Sequence, residues 1–201
     1  MKTKLIALAA LIMSTTSMAA VTTGELRFSW EGQVPTAPIV GSGWAFVNGS
    51  DIPYTPSVEQ LNMSLDSTGK LTAVSAKPYE FFIVPVTGTP TPGQPVNKDD
   101  AKTFNEIQAY LGSTPVSAGF AQNKQLQLSE QAIANDGQVS ITLNGTPLKV
   151  GAQNPTPVTR SGNNKSGQVS IQLNAKAAST DITEGASVTF TAPVVFSVNI
   201  A

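Results

Sequence analysis

The residues of this chain that could carry out chemistry are few, and two of the commonest catalytic side chains are absent. The 201-residue sequence contains neither cysteine nor histidine. Serine–histidine–aspartate and cysteine–histidine nucleophiles are therefore excluded, together with histidine-ligated zinc and histidine general bases. An enzyme built on this sequence would have to use carboxylates, lysines and hydroxyl groups alone.

The remaining candidates for acid–base chemistry are acidic residues that lie close together. Asp99 and Asp100 are adjacent, but they stand where a helix is predicted to begin, and acidic side chains there usually stabilise the helix dipole. Asp181 and Glu184 flank a predicted turn, and no spacing resembles a calcium-binding loop. We therefore expect no enzyme, no metal site and no cofactor, and a hydrolase with an acidic pair is the least favoured alternative.

Aromatic side chains could instead bind sugars by stacking, as they do in many secreted binding modules. Trp30 belongs to an alternating apolar row, and Trp44 has the same parity as Phe46. This pattern predicts that both tryptophans pack in the core. A carbohydrate-binding adhesin, or another secreted β-sandwich binding module, is the alternative function, with Tyr54 and Tyr110 as candidate residues.

The first residues predict export from the cytoplasm. Lys2 and Lys4 precede an apolar run at 5–13, and small residues follow it. The run is too short to span a membrane, so 1–19 is predicted to be a signal peptide cleaved after Ala19. Without the two lysines the formal charge falls from −1 to −3. That balance argues against nucleic acid or an anionic membrane surface as a partner.

Alternation of apolar and polar residues with a period of two dominates the rest of the chain. Strands are predicted at 60–65, 71–76, 79–86 and 125–128, and in two similar segments, 137–144 and 167–174. The run 81–84 is apolar on both faces and predicts a fully buried strand. Tight turns are predicted at 66–70, where Gly69 can take a positive φ, and at Asn144-Gly145.

The longest alternating run is at the C-terminus, and Pro193 interrupts it, which predicts an edge strand or a bulge there. Its apolar residues share one parity: Val188, Phe190, Ala192, Val194, Phe196, Val198 and Ile200. So many short strands favour an all-β, immunoglobulin-like β-sandwich.

One short helix is predicted between Asn97, as its N-cap, and Gly112, at its end. Its apolar face would consist of Ala101, Phe104, Ile107 and Leu111.

A further alternating strand lies close to the predicted mature N-terminus. It places Leu26, Phe28, Trp30, Gly32 and Val34 on one face. This strand could pair within its own domain, or it could be lent to a neighbouring subunit whose sandwich lacks a strand. The pattern by itself leaves these two alternatives about equal.

Several segments resemble the major pilins of the coli-surface-antigen five and seven fimbriae of enterotoxigenic Escherichia coli. They are 28–32, 44–49, 77–86, 123–126 and 141–145. The resemblance implies a colonisation-factor pilin that is assembled by a periplasmic chaperone and an outer-membrane usher. It also implies a polymer of this chain with minor fimbrial subunits, and attachment to intestinal epithelium through a glycan or glycoprotein.

This resemblance favours the second role for the N-terminal strand. The expected organisation is a signal peptide (1–19), a donor-strand segment (20–36) and a pilin β-sandwich (37–201). The donor residues are then Leu26, Phe28, Trp30, Gly32 and Val34. The acceptor groove is expected to be bordered by Val188, Phe190, Val194, Phe196, Val198 and Ile200.

Overall fold

The computed structural model describes residues 40–41 and 43–201, and it confirms an all-β fold in this part of the chain. Its helical elements are two short 3-10 turns, Ala121–Asn123 and Ser179–Asp181. The predicted signal peptide and donor segment lie outside the described residues. The strands are β1 (Val40–Gly41), β2 (Trp44–Val47), β3 (Leu61–Leu65), β4 (Leu71–Ser75), β5 (Tyr79–Pro85), β6 (Phe104–Leu111), β7 (Val116–Ala118), β8 (Gln127–Leu128), β9 (Gln138–Leu143), β10 (Thr146–Pro147), β11 (Thr156–Pro157), β12 (Arg160–Ser161), β13 (Ser166–Ala177), β14 (Thr189–Thr191) and β15 (Val194–Ile200).

Most strands belong to one ten-stranded sheet, and β13 is its central strand. Its twelve residues pair with β5 and β4 on one side and with β9 and β12 on the other. β2 pairs with β5, and β3 pairs with β4. A three-stranded sheet has the order β11-β6-β15, and β14 pairs with β7. All of these pairs are antiparallel, which suits a chain that turns back through short connections.

The main core lies between the ten-stranded and three-stranded sheets. It contains inward-facing side chains from both: Phe81, Ile83, Val139, Ile141, Val169, Phe104, Ile107, Ala109 and Leu111. A smaller cluster on the other face of β2 and β5 contains Ala45, Val47, Val84 and Val86. Strand β5 therefore has buried side chains on both faces, as its continuous apolar run predicts.

The predicted turns are confirmed. At 66–70 the backbone N–H of Asp66 donates to the Lys70 carbonyl, and Gly69 has φ 77°. The Asp66 carboxylate accepts hydrogen bonds from the Thr68 hydroxyl and from the backbone N–H groups of Thr68 and Lys70. These hydrogen bonds lower the pKa of Asp66, and the bond from the Thr68 hydroxyl has the largest effect. The turn at 144–145 places Thr146 opposite Leu143 and so joins β9 to β10.

The other predicted strands are also found, with one difference in burial. The strands predicted at 60–65, 71–76, 79–86 and 125–128 correspond to β3, β4, β5 and β8. The two similar segments become β9 and part of β13, which lie side by side with Ile141 opposite Leu173. Alternation with a period of two predicts one buried face for each segment, but β9 is buried on both faces from Val139 to Leu143.

The helix predicted between Asn97 and Gly112 is also wrong. Residues Phe104–Leu111 form strand β6, which pairs along its length with β15. Ahead of it, the Asp99 carboxylate accepts a hydrogen bond from the backbone N–H of Ala101 in a turn. Phe104, Ile107 and Leu111 are buried as predicted, but they are buried on a strand, and Ala101, the other residue of the predicted apolar face, is exposed.

A β-bulge explains the helix-like spacing of these apolar residues. Ile200 lies opposite Phe104, whereas Asn199 lies opposite Glu106, so Asn105 is an extra residue on β6. The extra residue lets Phe104 and Ile107 face the same core at a spacing of three, which also fits the period of a helix. Arg160 holds the bulge because its Nη1 donates to the carbonyls of Phe104 (2.7 Å) and Asn105 (2.5 Å).

Candidate functional site

The C-terminal segment presents a row of apolar side chains that the described residues cover only in part. Along β14, 192–193 and β15, every even-numbered side chain packs against the core but stays half-buried, and every odd-numbered one is exposed. The chain breaks its pairing next to Pro193, as predicted, and both strands lie at the edges of their sheets. We call the half-buried row the C-terminal edge: Val188, Phe190, Ala192, Val194, Phe196, Val198 and Ile200.

The same residues leave a backbone edge open. Among the described strands, β15 pairs with β6 alone. The Pro193 carbonyl accepts a hydrogen bond from Gly112 N–H (2.9 Å), and Ala201 N–H donates to the Thr103 carbonyl (2.9 Å). Backbone groups alternate in direction along an antiparallel strand, so the odd-numbered residues of β15 bond to β6. The N–H and C=O groups of the even-numbered residues therefore point away from it.

An aromatic cluster lines the core side of this edge. The Phe196 ring meets Phe46 and Phe81 in edge-to-face contacts, with centroids 5.1 Å and 5.8 Å apart. Trp44 packs edge-on against Phe46 at 5.0 Å. Trp44, Phe46 and Phe196 are each only half-buried, although they pack against the main core as the sequence predicts for Trp44. Beside β15, the described part of the sandwich thus leaves apolar side chains partly uncovered, and another apolar strand could pack against them.

Polar contacts hold the far end of the C-terminal edge in place. Phe190 on β14 packs against Phe120, with centroids 5.9 Å apart. The partner strand β7 is clamped by Gln125, whose side chain accepts from Ser117 N–H (2.9 Å) and donates to the Ser117 carbonyl (2.7 Å). The amide of Gln125 thus mimics a strand neighbour for β7.

Two of the acidic residues singled out in the sequence, Asp181 and Asp99, make contacts that stabilise the fold. Asp181 is buried, and its carboxylate pairs with the Lys124 ammonium at 2.8 Å. Asp99 caps the turn described above, and its carboxylate lies 3.7 Å from the Lys102 ammonium. Within residues 40–41 and 43–201, no cluster of three or more acidic side chains could hold a metal ion.

The candidate sugar-binding tyrosines are not exposed loop aromatics. Tyr54 is stacked on Phe81 with centroids 4.6 Å apart, and its ring packs against the main core. Burial, reinforced by Tyr79 and Glu59, raises the pKa of Tyr54 to about 12. Tyr110 lies within β6 and is also half-buried. Neither placement favours the adhesin alternative.

A shallow hollow of about 190 Å³ lies in the loop that follows β5. It is lined by residues such as Thr87, Thr91 and Asn97, and it brings together no charged side chains.

In the described part of the chain, no helix is long and apolar enough to cross a membrane.

The sequence pointed to the alternating C-terminal residues but missed much of their surroundings. The helix prediction hid β6, which is the strand that supports β15. The alternation of Ile107, Ala109 and Leu111 was the signal that could have revealed it. The donor residues Leu26, Phe28, Trp30, Gly32 and Val34 lie outside the described residues, so their pairing with the C-terminal edge stays a prediction.

Comparison with known proteins identifies a relative that covers the whole of the given sequence. No family model matches the chain. A CS5 fimbrial subunit of Escherichia coli is 54% identical over 203 aligned positions, which cover 100% of both sequences. An identity this high over the full length leaves no part of the chain unaccounted for. The chain therefore belongs to the family of the CS5 fimbrial subunit.

Proposed function

We propose that this protein is the structural major subunit of an extracellular fimbria, and that its copies polymerise by donor-strand exchange. The donor is the segment 26–34 of one copy, and the acceptor is the C-terminal edge of the next. The observation that carries the proposal is that edge, where seven apolar side chains form one half-buried row and the four of them on β15 also have open backbone groups. Membership of a fimbrial subunit family supports it.

The chemistry of the two segments is complementary. The donor offers Leu26, Phe28, Trp30 and Val34 at every second or fourth position, which is the spacing of side chains on one face of a strand. Burying four such side chains contributes roughly 6–12 kcal/mol before the costs of association. Gly32 permits close approach of the two backbones. Backbone pairing with β15 would add hydrogen bonds to this apolar contact.

Before assembly, the same edge needs protection. An open, uncharged strand edge with an apolar face is a site of aggregation. In the proposed pathway a periplasmic chaperone covers the C-terminal edge, and an outer-membrane usher exchanges it for the donor strand of the next subunit. Minor subunits complete the fimbria, which attaches the bacterium to a glycan or glycoprotein on intestinal epithelium.

Substitutions in the donor segment test the proposal. With both Phe28→Asp and Trp30→Asp, we expect the chain to be exported while surface fibres disappear, because two charges cannot enter apolar pockets. The matched control is Ser29→Asp, which places the charge on the opposite face of the strand. Electron microscopy of cells and immunoblotting of the periplasm provide the measurements. Normal fibres from the double variant would eliminate the donor assignment.

The acceptor side allows a second matched pair. Phe196→Asp places a charge in the aromatic cluster of the C-terminal edge, and Ser197→Asp places one on the exposed face next to it. We expect the first to abolish fibres and the second to preserve them. The reverse pattern, or equal loss, would contradict the assignment of this edge as acceptor.

A further inference from the structure

Strand β3 lies at one edge of the ten-stranded sheet and carries a second row of apolar side chains that the described residues leave uncovered. Met63 and Leu65 lie opposite Ala73 and Leu71 on β4 and share their face of the sheet. Ala73 is 1% exposed and Leu71 is 9% exposed, whereas Met63 is 50% and Leu65 is 61% exposed. The face that forms the core under β4 therefore continues onto β3, and no described residue covers it there.

The backbone of these residues is also open. The Gln60 carbonyl accepts a hydrogen bond from Ala76 N–H (2.9 Å), and Asp66 N–H donates to the Lys70 carbonyl (3.0 Å). By alternation, the even-numbered residues of β3 bond to β4. The N–H and C=O groups of Leu61, Met63 and Leu65 then point away from the sheet, and no other described strand pairs with β3.

Comparison with the other edges sets β3 and β15 apart. Among the described strands, these are the only edge strands longer than three residues. Neither contains a charge or a proline. Several of the short edges carry such protection: β10 and β11 contain Pro147 and Pro157, and β12 contains Arg160. Sheets use short length, proline and charge to prevent edge-to-edge association, so their absence from β3 indicates an edge that becomes covered.

We propose that the open edge of β3, with Met63 and Leu65, contacts another copy of this chain in the assembled fimbria. This contact rests on the proposed function and is separate from donor-strand exchange, because a segment that pairs with β15 cannot also pair with β3. In a fibre built from one kind of subunit, the surfaces that contact each subunit belong to other copies of the same chain. An uncharged stripe fits such a neighbour, since only 12% of the residues of this chain are charged.

The lack of cysteine makes the proposal directly testable. Single Met63→Cys and Leu65→Cys variants are labelled with a maleimide dye, first as isolated subunits and then as intact fibres. We expect labelling in fibres to be slower by about tenfold or more, because covered thiols react only after local opening. Ile133→Cys is the matched apolar control, since Ile133 is 67% exposed in a loop outside the strands, and Thr91→Cys is the polar control.

Backbone hydrogen exchange of the unmodified protein gives an independent reading that does not depend on the variants assembling. Protection of the Met63 and Leu65 amides in fibres, but not in isolated subunits, supports the contact. Equal exchange and equal labelling in both states overturn it. Protection already present in the isolated subunit also overturns it, since residues of the same copy would then cover β3.

The two proposals fail in different ways. Fibres in which the even-numbered amides of β15 are protected while β3 stays open overturn the β3 contact alone. A protein that forms no fibres, or fibres in which β15 stays open, overturns the proposed function and the β3 contact with it.

Discussion

Strands β9 and β15 have the same alternation of apolar and small polar residues, but the described fold covers only one of them. Val139, Ile141 and Leu143 on β9 are buried, and the strand has β13 on one side and β8 and β10 on the other. Val198 and its even-numbered neighbours on β15 remain half-buried, and β6 is the described partner. Alternation thus specifies which face is apolar, while the neighbours determine whether that face is completed.

The polar faces of the two strands differ in the same way. Ser140 on β9 is buried, and its hydroxyl donates to the Gln131 carbonyl at 2.6 Å in a loop that passes over the sheet. Ser197 and Asn199 on β15 are exposed. A loop over one strand turned a half-buried pattern into a fully buried strand, whereas β15 keeps one face in solvent.

The largest effect expected from this comparison concerns one substitution made in both strands. In the isolated subunit, Val139→Ala should lower the free energy of unfolding by about 2–3 kcal/mol, because it removes two buried methyl groups and leaves a cavity. Val198→Ala should lower it by about 1 kcal/mol, because that side chain still reaches water. Urea unfolding of both variants measures the difference.

Adding a peptide of residues 26–34 sharpens the same experiment. Once a donor covers the C-terminal edge, the loss caused by Val198→Ala should approach that caused by Val139→Ala. Equal losses in the isolated subunit would contradict the incomplete burial of β15. A difference that the peptide leaves unchanged would contradict the assignment of 26–34 as the donor.

A comparable effect is expected at Gly119, where β7 passes the segment leading into β14. Gly119 has φ 90°, and a Cβ there would lie 2.0 Å from the Ser187 carbonyl oxygen. Gly119→Ala should therefore destabilise the protein by about 2–3 kcal/mol and expose the β7–β14 pair to hydrogen exchange. Exchange of the β7 and β14 amides, together with urea unfolding, provides the measurement.

Gly185→Ala is the matched control for this substitution. Gly185 also has a positive φ (74°), but no atom lies within 4 Å of the position of its missing Cβ. Gly185→Ala introduces the strain of a positive φ without a steric clash. We therefore expect it to lower the free energy of unfolding by about 1 kcal/mol. Equal effects at the two glycines would show that the close approach of β7 to Ser187 is unimportant.

The smallest effect concerns pH and the aromatic side of the open edge. The pKa of Tyr54 is raised to about 12, chiefly by burial, so its phenol ionises in the unfolded chain before it ionises in the folded one. This contribution to stability is complete below about pH 10 and is lost as the pH rises towards 12. Between these values, the free energy of unfolding of the wild type should fall more steeply with pH than that of Tyr54→Phe. The difference in slope corresponds to the release of up to about one proton on unfolding.

Urea unfolding of the wild type and Tyr54→Phe between pH 9 and 12 measures this slope, with the same pair at about pH 7 as the reference, where the Tyr54 phenol is neutral in both the folded and the unfolded chain. Parallel curves across the alkaline range would show that the stacked ring on Phe81 is effectively solvated.

The sequence predicted much of the local structure because its rules act over short distances. Alternation located β3, β4, β9 and β15, and the residues at 66–70 and 144–145 specified the turns that follow β3 and β9. It failed at β6, because one extra residue, Asn105, gives the strand an apolar spacing that also fits a helix. The carbonyls that Arg160 binds there lie 55 and 56 residues away along the chain, and no local pattern contains that contact.

By itself, the sequence determined the β class of the fold, the apolar parity of each strand and the absence of histidine and cysteine chemistry. Only the tertiary structure decided that β3 is an edge, that β6 supports β15 and that β9 is enclosed. The physical reason is that side-chain alternation is a property of one strand, set by its backbone geometry. Completion of a face depends on which other strands and loops lie beside it, and those are brought together from distant parts of the chain.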